Sequence, residues 1–306
     1  MLFRSVVEAE PTQPTTLEIT HQGSIRRLSK TGAKLNSNTN DFVIKTYQTS
    51  TDEELTLVTT DGKAYPLKIK DIPPTVGNTA GTILTSLIPA LQATDEQIIY
   101  TLLTPAENPD DLQQLLLLSS QGKIKRILLQ ELSGLTNRGT TLIKLREDDR
   151  LHTITPLADQ REIIIATSGA RILRLALASE QIPLMGRVSQ GIQALKVGGR
   201  ERIVGCIPAN HTDEILLVSR QGYAKRIAIS SIRIVQTGNM GTHAMQFALK
   251  TDSLLSLNLP PENLDLVTTN HRHQLISIDQ IQLYGKDGGG DRLLTLNSDE
   301  EVMFVN

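Results

Sequence analysis

The sequence predicts an all-β, six-bladed, propeller-like chain of about 50 residues and four strands per blade. Three observations predict it. One hairpin-like segment recurs six times in frame. The turn residues of those segments recur at a blade-sized spacing. The apolar residues are mostly Leu, Ile and Val, with no Trp, which suits strands.

Five segments share an apolar run, a small polar turn ending in Gly, and a return run in which apolar and basic residues alternate. They are Leu17 to Leu28, Leu55 to Ile69, Leu115 to Leu129, Ile163 to Leu177 and Ile215 to Ile229. A sixth, Leu264 to Ile278, keeps the frame with His271 at the Gly position. The turn glycines Gly23, Gly62, Gly122, Gly169 and Gly222 are spaced 39, 60, 47 and 53 residues apart, with 49 more to His271. Each segment reads as a β-hairpin whose Gly supplies the positive φ of a tight turn. In the third return strand, Ile124, Arg126 and Leu128 fall on one face and Lys123, Lys125 and Ile127 on the other. Such a strand is not cleanly amphipathic, as expected of a blade packed on both faces.

After each hairpin comes a Gly-containing loop and a further apolar stretch: Val76 to Ile83, Asn137 to Lys144, Gln190 to Lys196, Gly238 to Thr242 and Gly288 to Leu293. A short strand then closes the repeat, at Ile154 to Pro156, Val204 to Pro208 and Leu255 to Pro261. Helix is sparse; the best candidate for a helical turn, Pro105 to Leu112, reads equally well as a loop. Residues 1–16, with Pro11 and Pro14 among threonines, read as a linker, and residues 17–306 as the repeat domain.

Composition removes several function classes. The single cysteine, Cys206, allows no intramolecular disulfide and reads as a small buried hydrophobe. No apolar run is long enough for a signal peptide or a membrane helix, which points to a cytoplasmic protein with no membrane partner. The six histidines are scattered, and only His271 and His273 are close, so no metal site is expected. The run Gly285 to Gly290 lacks the Lys-Ser/Thr of a nucleotide loop and reads as a connector, so no cofactor is expected. No nucleophile–base or paired-carboxylate arrangement emerges, so no catalytic residue is assigned and the chain by itself is not read as an enzyme.

The hairpin motif resembles the repeat of the C-terminal domains of DNA gyrase and topoisomerase IV A subunits, seen here as Ser120-Gln121-Gly122-Lys123-Ile124-Lys125-Arg126 and Arg220-Gln221-Gly222-Tyr223-Ala224-Lys225-Arg226. Asp61-Gly62-Lys63-Ala64-Tyr65 is similar to the second blade of that family, and Arg4 to Glu10 to the hinge that precedes the domain. The resemblance implies a pinwheel whose blades exchange strands and which binds and bends double-stranded DNA on its rim. It also implies two partners within a complete type II topoisomerase: a breakage-reunion core and the ATPase B subunit. One departure stands out. The loop after the first hairpin reads Ala33-Lys34-Leu35-Asn36-Ser37-Asn38-Thr39-Asn40-Asp41, where gyrase A subunits carry a basic, Gly-rich heptad. That departure favours a topoisomerase IV-like or diverged relative, with weakened wrapping.

DNA binding without sequence readout needs positive side chains spaced along phosphates. The paired basics just past the hairpin turns are the first candidates: Arg26, Arg27, Lys125, Arg126, Lys225 and Arg226, with Arg171 and Arg174 in the shifted fourth blade. Loop residues Arg138, Lys144, Arg187 and Lys196, with Arg200 and Arg202, extend the set. Blades two and six contribute little, because Tyr65-Pro66 and His273-Gln274 replace the basic pair. The formal net charge of −2 counts against a nucleic-acid binder unless the basic residues gather on one face. The rival reading is a protein-binding propeller scaffold.

Overall fold

The computed structural model describes residues 12–28, 41–77, 79–104 and 113–306. The expected helical turn at 105–112 and the hinge-like segment at 4–10 lie outside these residues, as do all positions of the 33–41 loop except Asp41. Among the described residues six antiparallel sheets are present, one for each predicted repeat. Helix is confined, among the described residues, to 3₁₀ turns of three or four residues such as Ile69–Asp71 and Leu129–Leu132.

The hairpins form as the motif predicts. In the third sheet Gln114–Ser119 pairs with Lys123–Leu128, with Leu116 opposite Arg126 and Leu118 opposite Ile124. Leu151–Leu157 adds on the far side of the first hairpin strand. The fourth strand does not come from the same repeat. Ile192–Gln193, which follows the fourth hairpin, pairs with Lys123 and Ile124 of the third. The same donation recurs down the chain. Thr82–Ile83 joins Ser24–Leu28, Thr140–Thr141 joins Lys63–Lys68, Thr242–His243 joins Arg171–Ala176, and Asp291–Arg292 joins Tyr223–Ala228. Strand exchange, implied by the family resemblance and invisible in the periodicity, is therefore present. It also corrects one expectation. The sheet of the sixth repeat has three strands among the described residues, His273–Ser277, Asn263–Thr268 and Val302–Val305, rather than four.

Two smaller corrections follow from the turns. In the fourth hairpin the left-handed residue is Ala170 (φ 56°), one position after the expected Gly169, while His271 (φ 57°) takes the glycine role in the sixth as predicted. The first strand is Pro14–Thr20, with Pro14 opposite Ser50, so residues 14–16 belong to the first sheet and not to a linker.

The chain divides into two compact units, residues 1–58, 64–106 and 134–140 in one and residues 59–63, 107–133 and 141–306 in the other. The first unit packs Leu17, Ile19 and Ile25 of the first sheet on Leu55, Leu57, Tyr65 and Leu67 of the second. In the second unit the core is a series of interfaces. Side chains alternate across a strand, so Ile163 and Ile165 pack with Leu116, Leu118 and Ile124 of the third sheet. The intervening Ile164 and Ala166 pack with Ile215, Leu217 and Ile227 of the fifth. Leu216 and Val218 then meet Leu264 and Leu266 of the sixth. These central strands are buried on both faces, which is why their sequences show no polar face.

Each donated strand is entered through a glycine pressed against the receiving hairpin. A Cβ on Gly191 (φ +75°) would stand 2.5 Å from the Ile124 carbonyl oxygen, and one on Gly241 (φ +77°) 2.6 Å from that of Ile172. Gly191→Ala is expected to lower stability by about 1–3 kcal/mol from the strained backbone alone. Gly186→Ala, where a Cβ meets nothing within 4 Å, should stay within about 0.5 kcal/mol of the parent. Urea denaturation midpoints of the two variants check this.

Candidate nucleic-acid interface

Half of the twelve basic residues that head the sequence-derived set are buried: Arg26, Lys125, Arg126, Arg171, Arg174 and Lys225. A buried cation requires acceptors, and each of these has them inside the protein. The arginine four positions past the turn residue grips the chain arriving from the next repeat. Arg126 donates from Nε to the Ile182 carbonyl (2.7 Å), from Nη1 to Gln114 (3.1 Å) and from Nη2 to Ser179 (3.0 Å). Arg174 donates to both carboxylate oxygens of Glu162 (2.8 and 2.7 Å) and to the carbonyls of Ile229 and Ile232 (2.8 and 2.6 Å), with His211 Nδ1 at 2.8 Å. Arg226 repeats the pattern on the Ile281 carbonyl (2.8 Å) and Glu214 (3.3 Å).

The backbone of each arginine joins the same contact. Arg126 N–H donates to Pro183, and Met185 N–H returns a bond to Arg126. Arg226 does the same with Gln282 and Tyr284, and the Arg174 carbonyl accepts from Val235. Ile182, Ile232 and Ile281 hold equivalent places in successive repeats, nine residues before Gly191, Gly241 and Gly290.

The residue one position earlier, three past the turn, is Lys125 in blade three and Lys225 in blade five, and both ammonium groups lie under a loop of carbonyls. Burial pushes Lys125 down to about 8, with Glu131 pulling the other way, and burial also lowers Lys225, against the pull of Asp287. Arg26 holds this position in blade one and pairs with Glu18 at 2.5 Å. Tyr65 holds it in blade two, where its ring meets Gly139. Arg171, just past its turn, is bound by Glu201 at 2.9 and 2.8 Å. The six buried side chains of the expected set thus have their charged heads bonded to internal oxygens.

The remaining candidates face outward to different degrees. Arg138, Lys144 and Lys196 are exposed, and their side chains have no hydrogen bond or ion pair among the described residues. Arg200 and Arg202 are exposed as well. Arg27 and Arg226 are half-buried, and Arg187 is half-exposed in an ion pair with Glu131 at 2.9 Å. Lys144 and Lys196 occupy the same place in repeats three and four, each five residues past the glycine that opens a donated strand. Gln246 and Thr295 hold that place in the next two repeats, so this series of cations stops after the fourth.

In the second unit, consecutive exchange loops are bonded to one another. Lys144 N–H donates to Ser189 (3.2 Å), Lys196 N–H to Asn239 (3.4 Å) and Gln246 N–H to Gly288 (3.0 Å). Sequence reasoning missed exposed Arg146 and Arg150. With Lys144 they line a cleft of about 400 Å³ that also holds Asp61, Glu147 and Asp149. Their alternation with acids, rather than any motif, hid them.

No group of three His, Cys, Asp or Glu able to hold a metal occurs among the described residues. Burial pushes the Cys206 thiol up to about 12, as suits a core side chain. None of the described helices is long and apolar enough to cross a membrane.

Comparison with known proteins agrees with the repeat reading. The family model described as DNA gyrase C-terminal domain, β-propeller matches residues 113–158, 161–210 and 213–259, three consecutive repeats. The chain is 33% identical over 269 residues to the A subunit of DNA topoisomerase 4 from Synechocystis sp., covering 82% of this chain and 29% of that protein. It is 24% identical over 310 residues to the DNA gyrase A subunit of Staphylococcus aureus, covering 96% and 34%. The chain therefore spans about a third of the length of these relatives. Among solved structures, the C-terminal domain of DNA topoisomerase IV superposes with a TM-score of 0.83 at 16% identity, covering 97% of this chain and 94% of that one. The DNA gyrase A C-terminal domain superposes at 0.68 and 20%, covering 96% and 99%.

Arg174→Met is expected to destabilise the second unit by about 3–5 kcal/mol, since it leaves Glu162 buried without its partner. Calorimetric unfolding should show that loss, while the salt dependence of duplex binding stays at the parent value.

Proposed function

Because this chain belongs to the family of C-terminal β-propeller domains of gyrase and topoisomerase IV A subunits, we propose that it binds duplex DNA without reading its sequence and bends it along an arc. The observation that carries this reading is the set of exposed cations, without partners among the described residues, on the exchange segments: Arg138 in the first unit, Lys144 and Lys196 in the second. Cations of this kind, recurring from repeat to repeat on backbone segments, suit phosphates and provide no recognition helix for a groove. Arg27, Arg187, Arg226, Arg200 and Arg202 reinforce them at lower exposure or from neighbouring loops.

The arc is limited by charge. Bending 20–30 base pairs by 40–90° costs on the order of 1–6 kcal/mol, so every blade the duplex follows must supply phosphate contacts. Gln246 and Thr295 replace the lysine in the last two repeats, and the first-hairpin loop has asparagines in place of a basic heptad. A domain of this build presents a bent DNA segment rather than closing a full wrap. In the complete topoisomerase its partners are a breakage-reunion core and the ATPase B subunit, in the cytoplasm, with the chemistry residing in those parts.

A second reading, a protein-binding scaffold, draws on one observation. Leu184, Ile234 and Leu283, equivalent residues of successive repeats, are 45%, 43% and 49% exposed. Salt titration separates the two. Duplex affinity of the parent should fall steeply with salt, and replacing Arg138, Lys144 and Lys196 together with Ala should weaken it for all sequences alike. The log–log slope should flatten by up to about 2.7, at about 0.9 for each phosphate no longer neutralised. A parent chain with no measurable duplex affinity at low salt would defeat the DNA reading in favour of the scaffold. Ligation of nicked plasmid on the bound domain should trap little linking-number change. A shift as large as that of a domain with an intact basic heptad would remove the limited arc.

A further inference from the structure

The loops Gly186 to Gly191 and Gly285 to Gly290 occupy the same place in repeats four and six, and each is held from beneath by one lysine. Lys125 Nζ donates to the carbonyls of Gly186 (2.8 Å), Arg187 (2.9 Å) and Ser189 (3.2 Å) and to Ser189 Oγ (3.1 Å). Lys225 Nζ reaches the carbonyls of Gly285 (3.0 Å), Lys286 (3.2 Å), Asp287 (3.3 Å) and Gly288 (3.1 Å). Both lysines are 0% exposed.

The effect on the loops appears on the other side of the peptide planes. In a trans peptide the C=O of one residue and the N–H of the next point in opposite directions. Carbonyls that converge on an ammonium therefore turn the following amide hydrogens away from it. In the first loop these are the N–H groups of Arg187, Val188 and Gln190, and in the second those of Lys286, Asp287, Gly288 and Gly289. None of the seven has a hydrogen-bond partner among the described residues. Val188 and Gln190 are exposed, as are Lys286 and Asp287.

The equivalent loop of repeat five is an internal control. There the lysine position is taken by Leu173, and Gly238 N–H, the equivalent of Val188 and Asp287 N–H, donates inward to Ala194 (2.7 Å). At this position the amide is left outward over the buried lysine and is bonded inward where the lysine is missing. Successive outward N–H groups over a fixed positive charge form a concavity suited to an oxyanion.

We propose that the two lysine-clamped loops are cradles for phosphate groups of bound duplex DNA, with Lys125 and Lys225 as positioning residues that never touch the ligand. The proposal rests on the DNA-binding reading. The first cradle is the stronger, because its run contains no acid and Arg187 neutralises nearby Glu131, whereas Asp287 stands within the second.

Amide spectra of the ¹⁵N-labelled full chain, titrated with a short mixed-sequence duplex and separately with inorganic phosphate, test it. The amides of Arg187, Val188 and Gln190 should shift with both, at far lower phosphate concentration for the duplex. Those at 286–289 should move less, and Gly238 and Gly241 should stay. Lys125→Met should abolish the shifts at 187–190 and weaken duplex binding about tenfold, the worth of one hydrogen bond to a charged group. Lys125→Arg should restore both, since Arg26 already fills this position in blade one. If Lys125→Met does not fold, the parent titration still decides. Duplex binding with these amides unmoved overturns the cradles and leaves DNA binding standing. Failure of the chain to bind duplex at all overturns both.

Discussion

A cation enclosed in a β-sheet must be met by oxygen, and here the oxygen comes from the chain of the next repeat. Arg126, Arg174 and Arg226 each draw the carbonyl of Ile182, Ile232 or Ile281 against the receiving hairpin. This contact fixes where the incoming chain lies, nine residues before the glycine that lets it pass a carbonyl at close range. The two-residue donated strands are too short to hold themselves by ladder bonds alone. In the third, fourth and fifth sheets a guanidinium, with its planar fork of donors, anchors the segment that leads to them. Loss of one such partner leaves a buried charge or carbonyl unmatched, at a cost of about 3–5 kcal/mol for a buried pair.

The same constraint decides how charge is used. The chain has as many acids as bases within two, yet Glu18, Glu162, Glu201 and Glu214 are committed to the latch and turn arginines. A low net charge is therefore compatible with outward cations on the exchange segments, because the internal pairs cancel. It also leaves Arg138, Lys144 and Lys196 outward on the loops, while Arg26, Lys125, Arg126, Arg174 and Lys225 of the return strands are bonded internally. The lysine position links the two roles: from inside the fold it sets the direction in which loop amides point.

Much of the architecture was legible in the sequence. Gly122 and its equivalents marked the hairpins, and their spacing gave the number of sheets, since a tight turn with positive φ has few solutions. His271 was correctly read into that role. Ala170 was not, because its neighbour Gly169 supplied the more familiar signal one residue early. The donated strands were hidden for a different reason. Two residues such as Thr242–His243 have no period, and their partner lies a whole repeat away. The recurrent basic pair was visible, but its meaning was not. Periodicity locates Arg126 and Arg174; only the position of Ile182 or Glu162 in space tells whether the charge faces phosphate or carbonyl. Lys144 and Lys196 were found because they close the repeated Gly-containing loop element, whereas Arg146 and Arg150 fall beyond it among Glu147, Asp148 and Asp149.

If Arg126, Arg174 and Arg226 hold the strands donated by the next repeats, amide hydrogen exchange on Arg126→Met should reveal it most directly. Exchange should quicken at Ile192 and Gln193 and at the Met185 amide, with the Thr242–His243 donation near its parent rate. Unchanged protection of Ile192 and Gln193, together with weaker duplex binding and a flatter salt slope, would contradict the latch and return Arg126 to the DNA surface.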